Sequence, residues 1–175
     1  MRTHSFYCLS LISTLAWAIP FSFAQAEPVY EILGPMVSQH SEKSTVKPYN
    51  QVHAGMGLRA SRSFENSGFS TQWSAYIFND SFRTASLQTQ YGLRMALGDT
   101  SNVRWSAAAN ANVLYKGINW QGDRGWTVVP SLDLIATYDK KWGMTLSHYP
   151  YTSVRNDTFL QTTTLKVHYQ LGFTP

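Results

Sequence analysis

The sequence predicts an all-β fold, an eight-stranded antiparallel β-barrel that crosses an outer membrane. Polar and apolar residues alternate with period two along eight segments after residue 26, which is the pattern of strands that have one apolar face. Most of these segments have about the length that a tilted strand needs to cross a bilayer. Short and long connections alternate between them, as in barrels with short periplasmic turns and long outer loops.

The predicted strands follow one another with no helical apolar stripe between them. They cover 29–40, 49–63, 68–80, 84–97, 103–116, 126–138, 142–150 and 158–173. In the fifth segment, the apolar face carries Trp105, Ala107, Ala109, Ala111, Val113 and Tyr115, and the polar face carries Arg104, Ser106, Asn110, Asn112 and Lys116. A chain of strands in a membrane must close into a barrel, because lipid offers no hydrogen bonds to an open edge.

A soluble eight-stranded barrel is the alternative to a membrane barrel. It would turn its apolar faces inward, and the lumen of so small a barrel has no room for this many Trp and Tyr side chains. In a membrane barrel, the aromatic residues at the segment ends form the interfacial girdles. These residues are Tyr115, Trp120, Trp126, Tyr138, Trp142, Tyr149 and Phe173. The sequence therefore favours the membrane barrel.

The first 26 residues have the features of a secretory signal peptide. A short basic start is followed by a mostly apolar run to about Phe23, and the segment closes on Ala24-Gln25-Ala26. This order predicts export through the inner membrane and cleavage after Ala26. A membrane anchor is the alternative, since the apolar run is nearly long enough to span, but Pro20 and the cleavage site favour removal. We expect a single barrel domain over residues 27–175 in the outer membrane of a Gram-negative cell.

Cysteine usage and charge exclude two classes of protein. Cys8, the one cysteine, lies inside the predicted signal peptide. The exported chain is therefore expected to have no disulfide, unlike small stapled extracellular domains. The net charge of +4 is mild and dispersed, so it does not indicate a nucleic-acid partner.

His40, Asp80 and Ser81 are predicted to meet at the outer rim of the barrel. With a periplasmic N-terminus the odd-numbered strands run outward, so His40 at the end of the first strand and Asp80 at the end of the third lie at that rim. A histidine, a carboxylate and a hydroxyl can together perform acyl transfer, with the histidine as the base. The alternative is an ordinary hairpin tip, in which Asp80 forms an Asx-type turn.

Five short motifs resemble, in their order and approximate spacing, those of the lipid A palmitoyltransferase family. They are Pro35-Met36-Val37-Ser38-Gln39-His40, Tyr49-Asn50 with Gly55-Met56-Gly57-Leu58, Phe78-Asn79-Asp80-Ser81, Tyr91-Gly92 and His148-Tyr149-Pro150. The resemblance covers most of the chain from residue 29 to residue 150. It implies an acyltransferase that works as a monomer without a cofactor, moving a palmitoyl chain from a glycerophospholipid to lipid A in the outer-membrane lipid.

The resemblance also implies roles for particular residues. His40, Asp80 and Ser81 would be the catalytic trio. Pro35 and Pro150 would interrupt strand pairing and open lateral slits for lipid, since proline cannot donate to the ladder. Without the resemblance, each proline is equally well explained as a strand end.

The resemblance implies that Gly92 forms the floor of the pocket that measures the length of the acyl chain. Glycine in a strand often marks a close backbone approach. Arg94 on the same face, with Arg104 and Asp133, is expected to form a polar plug beneath an apolar slot.

Three departures from the family and two rival functions stay open. Only residues 27–34 separate the predicted cleavage site from Pro35, so the family's N-terminal amphipathic helix has no counterpart. Asn79 replaces a lysine and Phe82 replaces a tryptophan.

A lipid A deacylase would need a His-x-Ser pair on a late strand, where this chain has His148-Tyr149-Pro150. A structural or adhesive barrel would have a lumen packed with polar side chains and no slot. No metal-ligand spacing is present, so no metal is expected.

Overall fold

The computed structural model describes residues 26–41, 47–119, 121–150, 152–154, 157–159 and 161–172. The predicted signal peptide, apart from Ala26, lies outside the described residues. So do two of the predicted girdle aromatics, Trp120 and Phe173. No helix in the described ranges is long and apolar enough to cross a membrane.

Strands make up nearly all of the described chain. They are β1 (Val29–His40), β2 (Val52–His53), β3 (Gly55–Ser63), β4 (Phe69–Asn79), β5 (Ala85–Thr100), β6 (Val103–Gly117), β7 (Arg124–Tyr138), β8 (Trp142–Tyr149), β9 (Thr152–Val154), β10 (Asp157–Phe159) and β11 (Thr162–Leu171). The short β9 and β10 pair with each other, and β2 continues β3 toward the outer end of β1.

The eight long strands close into a barrel. Each is antiparallel to its neighbour in the chain, and β11 pairs with β1 along most of the length of both. Closure joins the two ends of the sheet, which an open sheet would leave facing lipid over their whole length, although in the described ladder the outer part of β7 before Leu132 has no β8 partner. The predicted fold class is therefore confirmed, and the predicted strand bounds agree with the observed ones to within a few residues except at the start of the last strand.

The barrel is apolar outside and polar inside. On β5, Leu87, Tyr91 and Leu93 are exposed while Gln88 and Gln90 are buried in the lumen. The same alternation holds along β4, β6, β7, β8 and β11. A soluble barrel would show the opposite arrangement, so that alternative is wrong. The outward apolar surface is the one that lipid tails solvate.

A β-bulge interrupts the alternation in β1. Its register against β11 shifts between Leu33 and Met36, so Glu31 and Leu33 face the lumen before the bulge, whereas Met36 and Ser38 face it after. A bulge adds one unpaired residue and reverses the facing of everything beyond it. This explains why β1 has the weakest alternation in the sequence and why His40 nevertheless turns inward.

The periplasmic half of the lumen is filled by a buried ionic plug around Glu31. Arg59 donates to the Glu31 carboxylate, and Arg94 Nη1 and His168 Nε2 lie 3.9 and 3.5 Å from its Oε1. Arg104, expected in the plug, lies outside it. This side chain is half exposed at the β5–β6 turn, with its Nε 3.4 Å from an Asp99 oxygen.

Two further layers lie above the plug. The first is polar, with Gln90 Nε2 donating to Asp133 at 3.0 Å and Gln88 Nε2 donating to Asn112 at 2.7 Å. The second is an apolar cluster that lines the outer half of the lumen: Leu33, Met36, Tyr76, Phe78, Leu114, Val129 and Tyr149. The prediction that Tyr149 belongs to the interfacial girdle is therefore wrong, since its side chain is buried in the lumen. The lumen therefore changes from charged at the periplasmic end to largely apolar toward the outer rim, apart from the buried Lys166, whose Nζ lies 4.3 Å from the Tyr76 ring centroid.

Candidate active site

A cavity of about 390 Å³ opens at the outer end of the lumen. Its volume lies within the range of small-molecule sites. Its apolar lining comes from Met36, Phe78, Leu114, Ile118 and Tyr149, and its polar lining includes Ser38, His40, His53, Asp80, Ser81, Lys116, Thr162 and Thr164. The structure thus brings the three residues of the predicted trio to one cavity.

His40 and Ser81 are in direct contact. The His40 Nε2 lies 2.8 Å from the Ser81 hydroxyl, and its Nδ1 lies 3.0 Å from the Thr162 hydroxyl across the β1–β11 ladder. With the ring proton on Nδ1, His40 donates to Thr162 and accepts from Ser81. This is the geometry of a hydroxyl held against a general base whose other nitrogen is oriented by a third group.

Asp80 lies beside this pair but holds the backbone rather than the histidine. Within the described chain, its carboxylate accepts five hydrogen bonds of 2.6–2.9 Å, from the N–H groups of Phe82, Thr84 and Gly117 and from the hydroxyls of Thr84 and Ser86. Burial raises the pKa of this carboxyl, but the hydrogen bonds from Thr84, Ser86 and Gly117 outweigh burial and hold the pKa below its usual value. Asp80 therefore ties the β4–β5 hairpin, which carries Ser81, to the end of β6.

Asn50 fastens the same hairpin from the other side. Its backbone N–H donates to the Ser81 carbonyl at 2.9 Å, and its side-chain amide donates to the Asp80 carbonyl at 3.3 Å. The Tyr49 ring lies 4.8 Å from the His40 ring, centroid to centroid. The Tyr49-Asn50 motif thus packs against both halves of the predicted site.

A second serine–histidine pair lies next to the first. The His53 Nε2 is 2.7 Å from the Ser38 hydroxyl, and its Nδ1 donates to the Asn79 carbonyl at 2.5 Å. The Ser38 hydroxyl also lies 3.5 Å from the His40 Nε2. Sequence reasoning missed this pair, although alternation alone could have found it. His53 has the same phase as the lumen-facing Arg59 and the opposite phase to the exposed Leu58.

Gly92 lies on the lumen wall below the cavity. On β5 it comes four residues after Gln88, about 13 Å along the strand, and Gln88 itself donates to the Tyr149 hydroxyl at the cavity floor at 3.1 Å. A Cβ built on Gly92 would overlap the Asn110 side chain and the Ala109 carbonyl. Glycine at this position allows that close approach between β5 and β6.

The two prolines lie at interruptions of strand pairing. Pro35 is within the β1 bulge, and pairing with both neighbouring strands resumes at Met36. Pro150 follows the last residue of β8, whose ladder with β7 begins at Leu132 and runs to the periplasmic end. The outer half of β7, residues 124–131, pairs with β6 on one side and has no β8 partner on the other in the described ladder.

The described residues offer no metal centre. No group of three or more His, Cys, Asp or Glu side chains in the described ranges is placed to hold an ion.

No family model matches the chain, and no curated protein matches its sequence. Among solved structures, Neisserial surface protein A is similar with a TM-score of 0.53 at 8% identity, over 86% of this chain and 99% of that one. Ail of Yersinia pestis in a bilayer nanodisc has a TM-score of 0.44 at 12% identity, over 83% and 100%. Ail with the heparin analogue sucrose octasulfate has a TM-score of 0.41 at 11% identity, over 82% and 97%. The chain has the eight-stranded fold of Gram-negative outer-membrane barrels.

Proposed function

We propose that this barrel is an outer-membrane acyltransferase that moves a palmitoyl or similar acyl chain from a glycerophospholipid to lipid A. The observation that carries the proposal is the His40–Ser81 contact of 2.8 Å inside a cavity at the outer rim. His40 takes the proton of the acceptor hydroxyl as that hydroxyl attacks the acyl carbonyl. Ser81 and Thr162 orient the ring, and Asp80 positions Ser81 by holding the hairpin.

The surroundings of His40 suit a lipid ester. The apolar cluster lies directly beneath the histidine and offers a dry wall to the first part of an acyl chain. Lys116 lines the same cavity and adds a positive charge where a phosphate headgroup would lie. In a water-poor site, such a charge interacts more strongly with an anion than it would in bulk water.

Lateral access completes the proposal. Among the described residues, the outer half of β7 has no β8 partner, and Pro150 follows the end of β8 at that level. We assign to this gap the entry of one lipid from the outer leaflet, and to the Pro35 interruption a second, narrower opening. Gly92 remains the proposed ruler of acyl-chain length. An acyl chain long enough to reach Gly92 must displace the polar layer that contains Gln88 and Gln90.

A structural or adhesive barrel is the second candidate. Its supporting observation is the hydrogen-bonded polar packing below the cavity, where Gln72 Nε2 donates to Asn110 at 2.7 Å and Gln90 contacts Asp133. A purely structural lumen gives no reason for the apolar cavity above this packing, with two serine–histidine contacts at its wall.

Expression in an outer membrane that lacks this activity separates the candidates. An acyl chain added to lipid A, measured by its mass, supports transfer. A lost chain supports a deacylase, and unchanged lipid A with a folded barrel supports the structural function. His40→Ala and Ser81→Ala should abolish the gain. His148→Ala is a matched control, because that histidine contacts Thr163 and Gln161 rather than the cavity residues.

A further inference from the structure

We propose that Ser38 carries the acyl group as a covalent ester between donor and acceptor, with His53 as the base that activates it. This inference rests on the proposed acyl transfer and names the atom through which the chain passes. Both residues line the cavity, and their atoms lie 2.7 Å apart. Ser38 is 8% exposed and His53 is 2% exposed, so bulk water has little access to an ester formed there.

The hydrogen bonds of His53 determine which group donates in its contact with Ser38. The Asn79 carbonyl, 2.5 Å from the His53 Nδ1, can only accept a hydrogen bond. In the neutral ring the proton therefore lies on Nδ1, and Nε2 must accept the hydroxyl proton of Ser38. This is the arrangement of nucleophile, base and orienting group in serine acyl-transfer sites, with a carbonyl as the third member.

The contacts of His40 leave its tautomer open by comparison. Its three hydrogen-bonding neighbours, Ser81, Thr162 and Ser38, are all hydroxyls, and a hydroxyl either donates or accepts. Ser38 is thus the serine whose hydroxyl is committed to a base by the structure. His40, whose Nε2 lies 2.8 Å from the Ser81 hydroxyl, is assigned to the second substrate, whose hydroxyl must replace that of Ser81 at this nitrogen.

Acyl transfer through Ser38 takes two half-reactions. Ser38 Oγ attacks the donor ester carbonyl while its proton moves to the His53 Nε2. The carbon–oxygen bond to the glycerol breaks, and the leaving oxygen takes that proton as a lysophospholipid forms. The acceptor hydroxyl then attacks the acyl-Ser38 ester and gives its proton to the His40 Nε2, 3.5 Å from Ser38 Oγ. The carbon–oxygen bond to Ser38 breaks, and the proton returns to Ser38.

Covalent labelling tests the inference without lipid A. The full barrel, folded in detergent micelles, is treated with a long-chain alkyl fluorophosphonate, and the modified residue is located by peptide mapping. We expect a single adduct on Ser38 and none on Ser81. His53→Gln keeps an amide donor for the Asn79 carbonyl but lacks a base, and should slow labelling by at least about 100-fold.

Matched controls separate chemistry from folding. Ser70→Ala removes a lumen serine at the periplasmic end, and His148→Gln removes a histidine outside the cavity. Both should label at the wild-type rate, and gel mobility before and after heating reports folding of every variant. An adduct on Ser81, or no serine adduct on the folded wild type, would overturn the inference.

The outcome is distinguishable from failure of the proposed function. If lipid A gains an acyl chain but Ser38 is never labelled, the protein is an acyltransferase and the covalent intermediate on Ser38 is wrong. If Ser38 is labelled but lipid A is unchanged, Ser38 is a nucleophile and lipid A is not the acceptor.

Discussion

Replacing Asp80 with asparagine tests whether this carboxylate holds the hairpin or acts as the third member of a catalytic triad. The Oδ2 atom accepts from the Gly117 N–H at 2.6 Å and from the hydroxyls of Thr84 and Ser86 at 2.7 Å. In Asp80→Asn an NH₂ group takes this place. The hydroxyls can rotate and accept from it, but the Gly117 N–H cannot reverse.

Rotating the asparagine amide does not rescue the site. The Oδ1 atom accepts from the N–H groups of Phe82 and Thr84, both at 2.9 Å, and a rotated amide would leave those two donors unpaired instead of one. An unpaired buried N–H costs about 1–3 kcal/mol. We therefore expect Asp80→Asn to lower the free energy of unfolding of the outer hairpin by at least that amount and to reduce acyl transfer through displacement of Ser81.

Two measurements examine the effect together. Amide hydrogen exchange should speed up at Gly117 and in the 80–86 hairpin, and acyl transfer should fall in the same variant. Asp99→Asn is the control, since that carboxylate is largely exposed in its pair with Arg104. Unchanged exchange at Gly117 combined with a loss of about 10⁴-fold in turnover would refute the account, because that is the signature of a triad carboxylate.

The lowered pKa of Asp80 adds a dependence on pH. Its stabilising contribution is fully present above the unfolded pKa of about 3.9 and is lost as pH falls through the lower folded pKa. Asp80→Asn should remove this part of the acid sensitivity of the hairpin. An equally steep acid transition in the variant would contradict the assignment.

Three further substitutions have defined outcomes. Gly92→Met presses on the Asn110 side chain and the Ala109 carbonyl, so its folding is first checked by gel mobility, and the folded variant should have a shorter preferred donor chain. Unchanged chain selectivity of the folded variant, measured with donors of graded length, would refute the role of Gly92 as ruler. Gly117→Ala should impair transfer, because its Cβ would lie 2.6 Å from the Thr84 hydroxyl; a wild-type rate would show that the hairpin tolerates displacement. Glu31→Ala leaves Arg59 buried without its carboxylate and should lower the free energy of unfolding by about 3–5 kcal/mol, as measured in urea; a smaller loss would mean that water enters the plug.

Alternation predicted the wall of the barrel because a strand has only two faces. Once Leu87 is outside, Gln88 is inside. The same reasoning places Tyr76 and Phe78 of β4, and Asp80 just beyond the end of that strand, on the lumen side. Strand parity was enough to bring His40 to the rim of the same barrel end. These inferences need no knowledge of which strand neighbours which.

The contacts within the site could not be predicted in this way. The bond between Asp80 and the Gly117 N–H depends on the stagger of β4 against β6, which alternation does not report. The Thr162 contact of His40 depends on the register after the β1 bulge. A histidine, a carboxylate and a hydroxyl at one rim therefore suggested a triad. The register instead gives His40 a hydroxyl on each ring nitrogen and gives Asp80 a set of N–H and hydroxyl donors.

Transfer of a labelled acyl chain in a defined membrane tests the central claim most directly. The folded barrel is reconstituted with a glycerophospholipid labelled in one acyl chain and with unlabelled lipid A. We predict labelled lipid A and lysophospholipid in equal amounts, and neither product with His40→Ala. A folded wild-type barrel that leaves the label on the phospholipid would contradict the account.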